Sequence, residues 1–143
     1  MRDRMAHKVD ELPVFQDAQE FVAAVTAILQ QSSLRRNTKA YDQIAEANDS
    51  IVANMDEGFD QGSDDAFAKH LYYSKGSVAE VMRRLRRAAA KGFMPPEAVA
   101  RLEPKADSIG RQIGGLVKYL KISGFKDRGR FKASQLRSGI KDQ

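Results

Sequence analysis

The residues best suited to chemistry lie close together in one stretch, SIVANMDEGFDQGSDDAF, which runs from residue 50 to residue 67. Asn54, Asp56 and Glu57 carry the hard oxygen atoms that Ca²⁺ or Mg²⁺ prefers as ligands. The spacing lacks the closing Glu of an EF-hand loop. No Glu-x-x-His pair of a di-iron bundle is present, since the histidines are His7 and His70. We therefore expect no metal site and interpret these acids as solvated or helix-capping groups.

Recognised catalytic motifs are also absent from the sequence, which contains no G-x-S-x-G, P-loop, G-x-G-x-x-G or His-centred triad. His70 follows Phe67 by three residues at the border of an apolar arc, so we interpret it as a boundary histidine with an ordinary partner. The chain has no cysteine, which excludes disulfides, thiolate ligands and a Cys nucleophile. We expect a protein that is not an enzyme and uses no cofactor. The alternative is an enzyme whose site is assembled from several chains.

Length and composition fit one soluble domain. The chain has 143 residues, of which 42% are hydrophobic and 30% charged, and a formal net charge of +5. No apolar run approaches the roughly 20 residues that span a bilayer, and the charged N-terminus lacks the apolar stretch of a secretory signal. A cytoplasmic location is the simplest expectation. The positive charge favours polyanions without identifying one.

Apolar residues recur every three or four positions in four segments, and no alternating strand pattern is present. Pro13 can open the first helix, Gly58 and Gly62 can end the second, and Ser63 can cap the third. Pro104 can kink the fourth helix or split off a short turn. The predicted helices span approximately residues 13–31, 34–60, 63–92 and 96–121. This pattern predicts an all-α, antiparallel up-down four-helix bundle over residues 1–123, followed by a basic, partly flexible tail over residues 124–143.

Three segments together resemble a known family: LPVF at residues 12–15, SIVANMDEGF in the second helix with Ile44 before it, and LYYSKGSVAE in the third. The family is that of four-helix bundle proteins encoded in intervening sequences of bacterial 23S ribosomal RNA genes, related to accessory proteins of diversity-generating retroelements. The resemblance runs from about Leu12 to Leu120. It implies a cytoplasmic homopentamer, without enzymatic activity, that binds nucleic acid. The signature residues are Asn54, Glu57, Gly58, Ser63, Phe67, Gly76, Ser77 and Glu80.

Away from the apolar arcs, two helices present faces of opposite charge. The acidic face of the second helix consists of Asp42, Glu46, Asp49, Asp56 and Glu57. The basic face of the third helix consists of Lys69, Tyr73, Gly76, Arg83, Arg84 and Arg87, with Tyr72 and Arg86 at its edge. Both faces could simply be solvated. Alternatively, the acidic face of one protomer meets the basic face of the next, or the basic face binds phosphates.

The C-terminal tail adds a second basic segment with interleaved Phe125 and Phe131. Its predicted nucleic-acid contacts are Lys126, Arg128, Arg130 and Lys132. No recognition-helix code, RNP motif or zinc finger is present, so backbone contacts with RNA or DNA are expected instead of base reading. We predict a homo-oligomer, pentameric by resemblance, that binds nucleic acid. The alternative is a protein-protein adaptor or accessory subunit, for example of a reverse transcriptase.

Overall fold

The computed structural model describes residues 9–123 of the chain. Four long helices dominate this part, and it contains no strand, so the prediction of an all-α four-helix bundle is confirmed. Two 3₁₀ turns, Val9–Glu11 and Ser33–Arg36, precede the first and second long helices. The α-helices are α1 (Pro13–Gln31), α2 (Thr38–Asp60), α3 (Asp64–Ala90), the short α4 (Pro96–Ala100) and α5 (Glu103–Ser123).

Each long helix packs against two others. α1 contacts α2 and α5, while α3 contacts α2 and α5, so the four helices enclose a common interior. The short connections make successive long helices antiparallel. One end of the bundle therefore carries the start of α3 and the end of α5, and the opposite end carries the start of α2 and the end of α3.

The apolar stripes meet in this interior. Its largest fully buried side chains include Phe21, Ile51, Met55, Phe67, Leu71, Leu85, Ile109, Ile113 and Leu116. Phe59 and Phe67 meet edge to face with their ring centroids 5.3 Å apart, which joins α2 to α3. Burial of each such side chain is worth about 1.5–3 kcal/mol, so the stripes supply the main stabilisation of the bundle.

Three helix limits differ from the predictions. α2 begins at Thr38 instead of residue 34, because Leu34 is buried within the 3₁₀ turn and Asn37 caps the helix through the Ala40 N–H. α3 ends at Ala90 because Gly92 adopts a φ of +88°. The predicted fourth helix is two helices, α4 and α5, so the alternative of a short helical turn split off from the main helix is the one observed. Pro104 occupies the first turn of α5, where its missing N–H costs no helical hydrogen bond.

The role of Gly58 also differs from the prediction. We expected Gly58 to help end the second helix, but it lies within α2, which continues to Asp60. Gly62, with a φ of +82°, supplies the turn into α3. Ser63 caps α3 as predicted, because its hydroxyl accepts a hydrogen bond from the Ala66 N–H. No helix within residues 9–123 is both long and apolar enough to cross a membrane.

Candidate nucleic-acid interface

The corner between α2 and α3 depends on close contact at Gly58. A Cβ atom at this position would lie 2.5 Å from the Cβ of His70 and 3.3 Å from the carbonyl oxygen of Ala66. The Cβ of His70 is fixed to the backbone and cannot rotate away. The two helices can therefore approach this closely only when residue 58 is glycine.

His70 connects the corner to a hydrogen-bonded seam. The Asn54 amide nitrogen donates to the Ser50 carbonyl at 2.9 Å, so Asn54 Oδ1 is left as the acceptor for His70 Nδ1, also at 2.9 Å. His70 Nδ1 must then carry a proton. Gln61 Nε2 lies 3.4 Å from the other ring nitrogen. The interpretation of His70 as a boundary histidine with an ordinary partner is confirmed.

The seam continues along the helices through serine side chains. Ser50 Oγ lies 2.5 Å from Ser77 Oγ, and Ser74 Oγ donates to the Ile51 carbonyl at 2.7 Å. We call Ser50, Asn54, His70, Ser74 and Ser77 the α2–α3 seam. Two signature residues, Asn54 and Ser77, therefore hold neighbouring helices together.

The remaining signature residues have different environments. Phe67 is 1% exposed in the core, and Glu80 forms an ion pair with Arg84 at 2.9 Å. Glu57 is exposed on α2. Gly76 is exposed in the middle of α3, and a Cβ atom there would meet no atom within 4 Å. Packing within the described protomer explains why residue 58 is a glycine, but it does not explain why residue 76 is one.

All five residues of the acidic face are exposed. The pKa of Asp56 is raised by partial burial and by the nearby carboxylates of Asp60 and Asp10. Within residues 9–123, no three His, Asp or Glu side chains are arranged to hold a metal ion.

The basic face of α3 contains mostly exposed side chains. Tyr72 and Tyr73 are each 50% exposed, and Lys69, Arg83 and Arg87 are also exposed. Arg84, also on this face, is half-buried because its Nε donates to Glu80 and its Nη1 donates to Gln43 at 3.1 Å. The helical spacing brings these predicted residues onto one side of α3.

The basic face divides into two ends. Lys121 Nζ lies 5.6 Å from the ring centroid of Tyr72, and the ring of Tyr73 meets that of His70 edge to face at 5.4 Å. The tyrosine end is therefore next to the C-terminus of α5, where Ile122 is 61% exposed. The opposite end, which we call the arginine end, carries Arg87. This residue lies 15 residues beyond Tyr72 on α3, a distance of about 22 Å along the helix axis.

A family model for the 23S rRNA-intervening sequence protein matches residues 10–115. The chain belongs to this family. A search of curated proteins finds no match. The family match covers α1 to α4 and most of α5, so it includes the α2–α3 seam and the basic face.

Sequence reasoning about this member of the 23S rRNA-intervening sequence protein family missed two features. Lys121 and Ile122 join the tyrosine end, although they lie some fifty residues away along the chain. Arg86, placed at the edge of the basic face, donates from Nε and Nη2 to both carboxylate oxygens of Glu103. Its charge is therefore paired within the protomer. The predicted tail contacts Lys126, Arg128, Arg130 and Lys132 lie outside the described residues.

Proposed function

We propose that this protein is a non-enzymatic, homo-oligomeric binding module that holds RNA or DNA through phosphate contacts on the basic face of α3 and on its basic tail. The observation that carries the proposal is the half-exposed pair Tyr72 and Tyr73 between the cations of that face. Tyrosines beside Lys and Arg can stack on unpaired bases while the cations neutralise phosphates.

Two further features of α3 support this proposal. Gly76 lies in line with Lys69 and Arg83 at seven-residue steps, and an exposed glycine inside a helix costs about 1 kcal/mol relative to alanine. Its bare backbone permits close approach by a partner backbone. In the sequence the basic tail follows Ser123, and Lys121, two residues before Ser123, has its Nζ 5.6 Å from the ring centroid of Tyr72.

The oligomer is proposed from the opposite charges of two exposed faces. The acidic face of α2 in one protomer meets the middle of the basic face, around Arg83, in the next, so that Tyr72 and Tyr73 at one end and Arg87 at the other stay open to nucleic acid. Because the acidic face of α2 and the basic face of α3 are different surfaces, their contact between protomers is head to tail and must close into a ring or grow into a filament. The family resemblance supports a pentameric ring as the closed form. Several tails displayed on one ring would raise the effective concentration for one nucleic-acid strand.

The nucleic-acid proposal is tested by fluorescence anisotropy with a labelled oligouridine and the matching DNA across a salt series. Kd should weaken by about tenfold or more between about 50 and 200 mM salt, because released counterions oppose binding. The double variant Tyr72→Ala/Tyr73→Ala should lose about 1–3 kcal/mol for each stacked base. Tyr72→Phe/Tyr73→Phe is the matched control and should retain affinity. Absent binding at low salt would contradict the proposal and favour the protein adaptor.

The head-to-tail contact is tested separately by light scattering. Asp49→Arg reverses one charge on the acidic face, and Arg83→Glu reverses one on the basic face; both side chains are exposed. Each single variant should assemble less well than the unmodified protein. In an equimolar mixture, contacts between unlike variants restore opposite charges, so alternating assemblies should form, but a ring with an odd number of protomers, such as a pentamer, cannot close without a repulsive contact. The double variant should assemble as the unmodified protein does, because every contact again joins opposite charges. Unchanged assembly in both single variants would contradict the charge pairing.

A further inference from the structure

A small cationic pocket lies at the arginine end of the basic face, between α2 and the last turns of α3. Its volume is about 180 Å³. Arg84, Arg87 and Lys91 line it, and among the described residues that line it there is no carboxylate. Its apolar wall includes Ile44, Ala88 and Phe93. We define these six residues as the α3-end pocket.

The wall of this pocket is built by the way α3 ends. Gly92 N–H donates to the Ala89 carbonyl, and Phe93 N–H donates to the Ala88 carbonyl, with Gly92 at a φ of +88°. This is the Schellman arrangement, which folds the following residue back onto the last helical turn. The Phe93 carbonyl also accepts from the Ser33 N–H at 3.2 Å. The backbone of Phe93 is therefore held through both its N–H and its carbonyl, and its half-buried side chain lines the pocket.

The three cations of the pocket differ in how far their charge is compensated. Arg84 is oriented by Glu80 on α3 and by Gln43 on α2, which fixes the direction of its guanidinium. Within residues 9–123, Arg87 and Lys91 form no ion pair, and both are exposed. A fixed guanidinium beside two uncompensated cations is suited to a phosphate, whose oxygens accept several charge-assisted hydrogen bonds.

We propose that the α3-end pocket binds one nucleotide unit of a single strand, with its phosphate on Arg87, Lys91 and Arg84 and its base against Phe93. A pocket of about 180 Å³ is smaller than the roughly 300 Å³ at which ordinary ligand sites begin, so it takes a single base, while the phosphate stays outside it on the exposed cations Arg87 and Lys91, and it excludes a duplex. This inference rests on the proposed nucleic-acid binding and assigns it a particular site.

The pocket is tested by the double variant Arg87→Ala/Lys91→Ala, using anisotropy with a labelled oligouridine across a salt series. The matched control is Arg111→Ala/Lys118→Ala, which removes two exposed positive charges from α5. The pocket variant should weaken binding about tenfold or more and reduce the salt slope by about two. The control variant should bind within about threefold of the unmodified protein, since it changes only the net charge.

The base contact is tested by Phe93→Leu, which keeps an apolar side chain but removes the aromatic face. Binding of the oligouridine should weaken about fivefold or more with an unchanged salt slope, because stacking is lost and no phosphate contact changes. The oligouridine duplexed with oligoadenosine should show no effect of this variant. Light scattering of every variant should equal that of the unmodified protein.

The outcomes of these experiments distinguish failure of the pocket proposal from failure of the nucleic-acid proposal. Equal weakening by the pocket and control variants would overturn the pocket while leaving nucleic-acid binding in place. Loss of assembly in Arg87→Ala/Lys91→Ala would also overturn it and assign these cations to the contact between protomers. If a poly-glutamate peptide binds the pocket as tightly as the oligouridine does, the pocket selects negative charge and not a nucleotide. No binding of any nucleic acid by the unmodified protein would overturn both proposals.

Discussion

α3 contacts its two neighbours by different means. Against α2 the approach is so close that Gly58 has no room for a Cβ atom, and the hydroxyl, amide and imidazole groups of the α2–α3 seam pair across the contact. Against α5 an open groove of about 530 Å³ remains, lined in part by Gly110 and Gly114. The Arg86–Glu103 ion pair lines the outer end of that groove.

This difference separates small residues that are used for packing from small residues that are not. Gly58 removes a steric conflict within the protomer, whereas a Cβ atom on Gly114 would meet nothing within 4 Å. The signature residues Asn54, Gly58, Ser63 and Ser77 belong to the closely packed side. That part of the signature holds α2 and α3 together, and the proposed binding is assigned to the exposed surface of α3.

The largest expected effect comes from Gly58→Ala. The added Cβ would conflict with a backbone-anchored atom of His70, so the helices must separate and the seam must lengthen. We expect the free energy of unfolding, measured by urea denaturation, to fall by about 2 kcal/mol or more. Gly76→Ala on the same helix pair is the control, since its Cβ would meet no atom and the change should stabilise slightly. Equal stability of the two variants would show that the contact at Gly58 is not tight.

The sequence predicts the bundle well because its four apolar periods are long and uninterrupted by strand patterns. It also predicts the cap at Ser63, whose local hydrogen bond needs only neighbouring residues. It does not predict the role of Gly58. A glycine that ends a helix and a glycine that makes room for a neighbouring histidine cannot be distinguished from the sequence alone. The Arg86–Glu103 pair depends on how α3 and α5 are rotated about their axes, which periodicity leaves open.

The same limit applies to the basic face of α3: local spacing predicts which of its residues share one side, but not which residues from elsewhere in the chain contact them. Helical spacing is enough to place Lys69, Tyr73 and Arg87 on one side of α3. It cannot indicate that Lys121 reaches Tyr72, or that Phe93 folds back beside Arg87. Those contacts depend on the direction of α5 and on the turn at Gly92.

The next largest effect is expected for Asn54→Ala in the α2–α3 seam. The change leaves the Nδ1 proton of His70 without its acceptor and removes the bond to the Ser50 carbonyl. Loss of a partner for a partly buried donor should cost about 1–2 kcal/mol in the free energy of unfolding. Lys39→Ala, at an exposed position on α2 outside the acidic face, is the control and should change stability by less than about 0.5 kcal/mol. A cost for Asn54→Ala no larger than that of the control would remove the seam as a source of stability.

On the open side of α3, Gly114→Ala should have the opposite sign. Its Cβ meets no atom within 4 Å, and alanine loses less backbone freedom on folding than glycine does. We expect thermal unfolding to show a gain of about 0.5–1 kcal/mol. Gly110→Ala, whose Cβ would lie 3.8 Å from Lys75 Cε, should behave similarly. A loss of stability in both variants would indicate that the groove is filled in solution, and the comparison between the two sides of α3 would fail.

The smallest expected effect concerns Glu103→Gln at the outer end of the groove. The hydrogen bond from Arg86 lowers the pKa of Glu103, and their opposite charges add to this, while slight burial opposes it. A carboxyl group with a lowered folded pKa stabilises the fold above its ordinary pKa, and that contribution is lost as the pH falls through the lowered value. Because both side chains are substantially exposed, with 54% of Arg86 and 36% of Glu103 accessible, the variant should cost less than about 1 kcal/mol at neutral pH.

Urea denaturation at neutral pH and at a pH well below 4.5, the ordinary pKa of a glutamate, should show this difference in stability shrinking towards zero on acidification. A difference that stays constant with pH would mean that the charge of Glu103 does not contribute, and that α5 is held against α3 by apolar contacts alone.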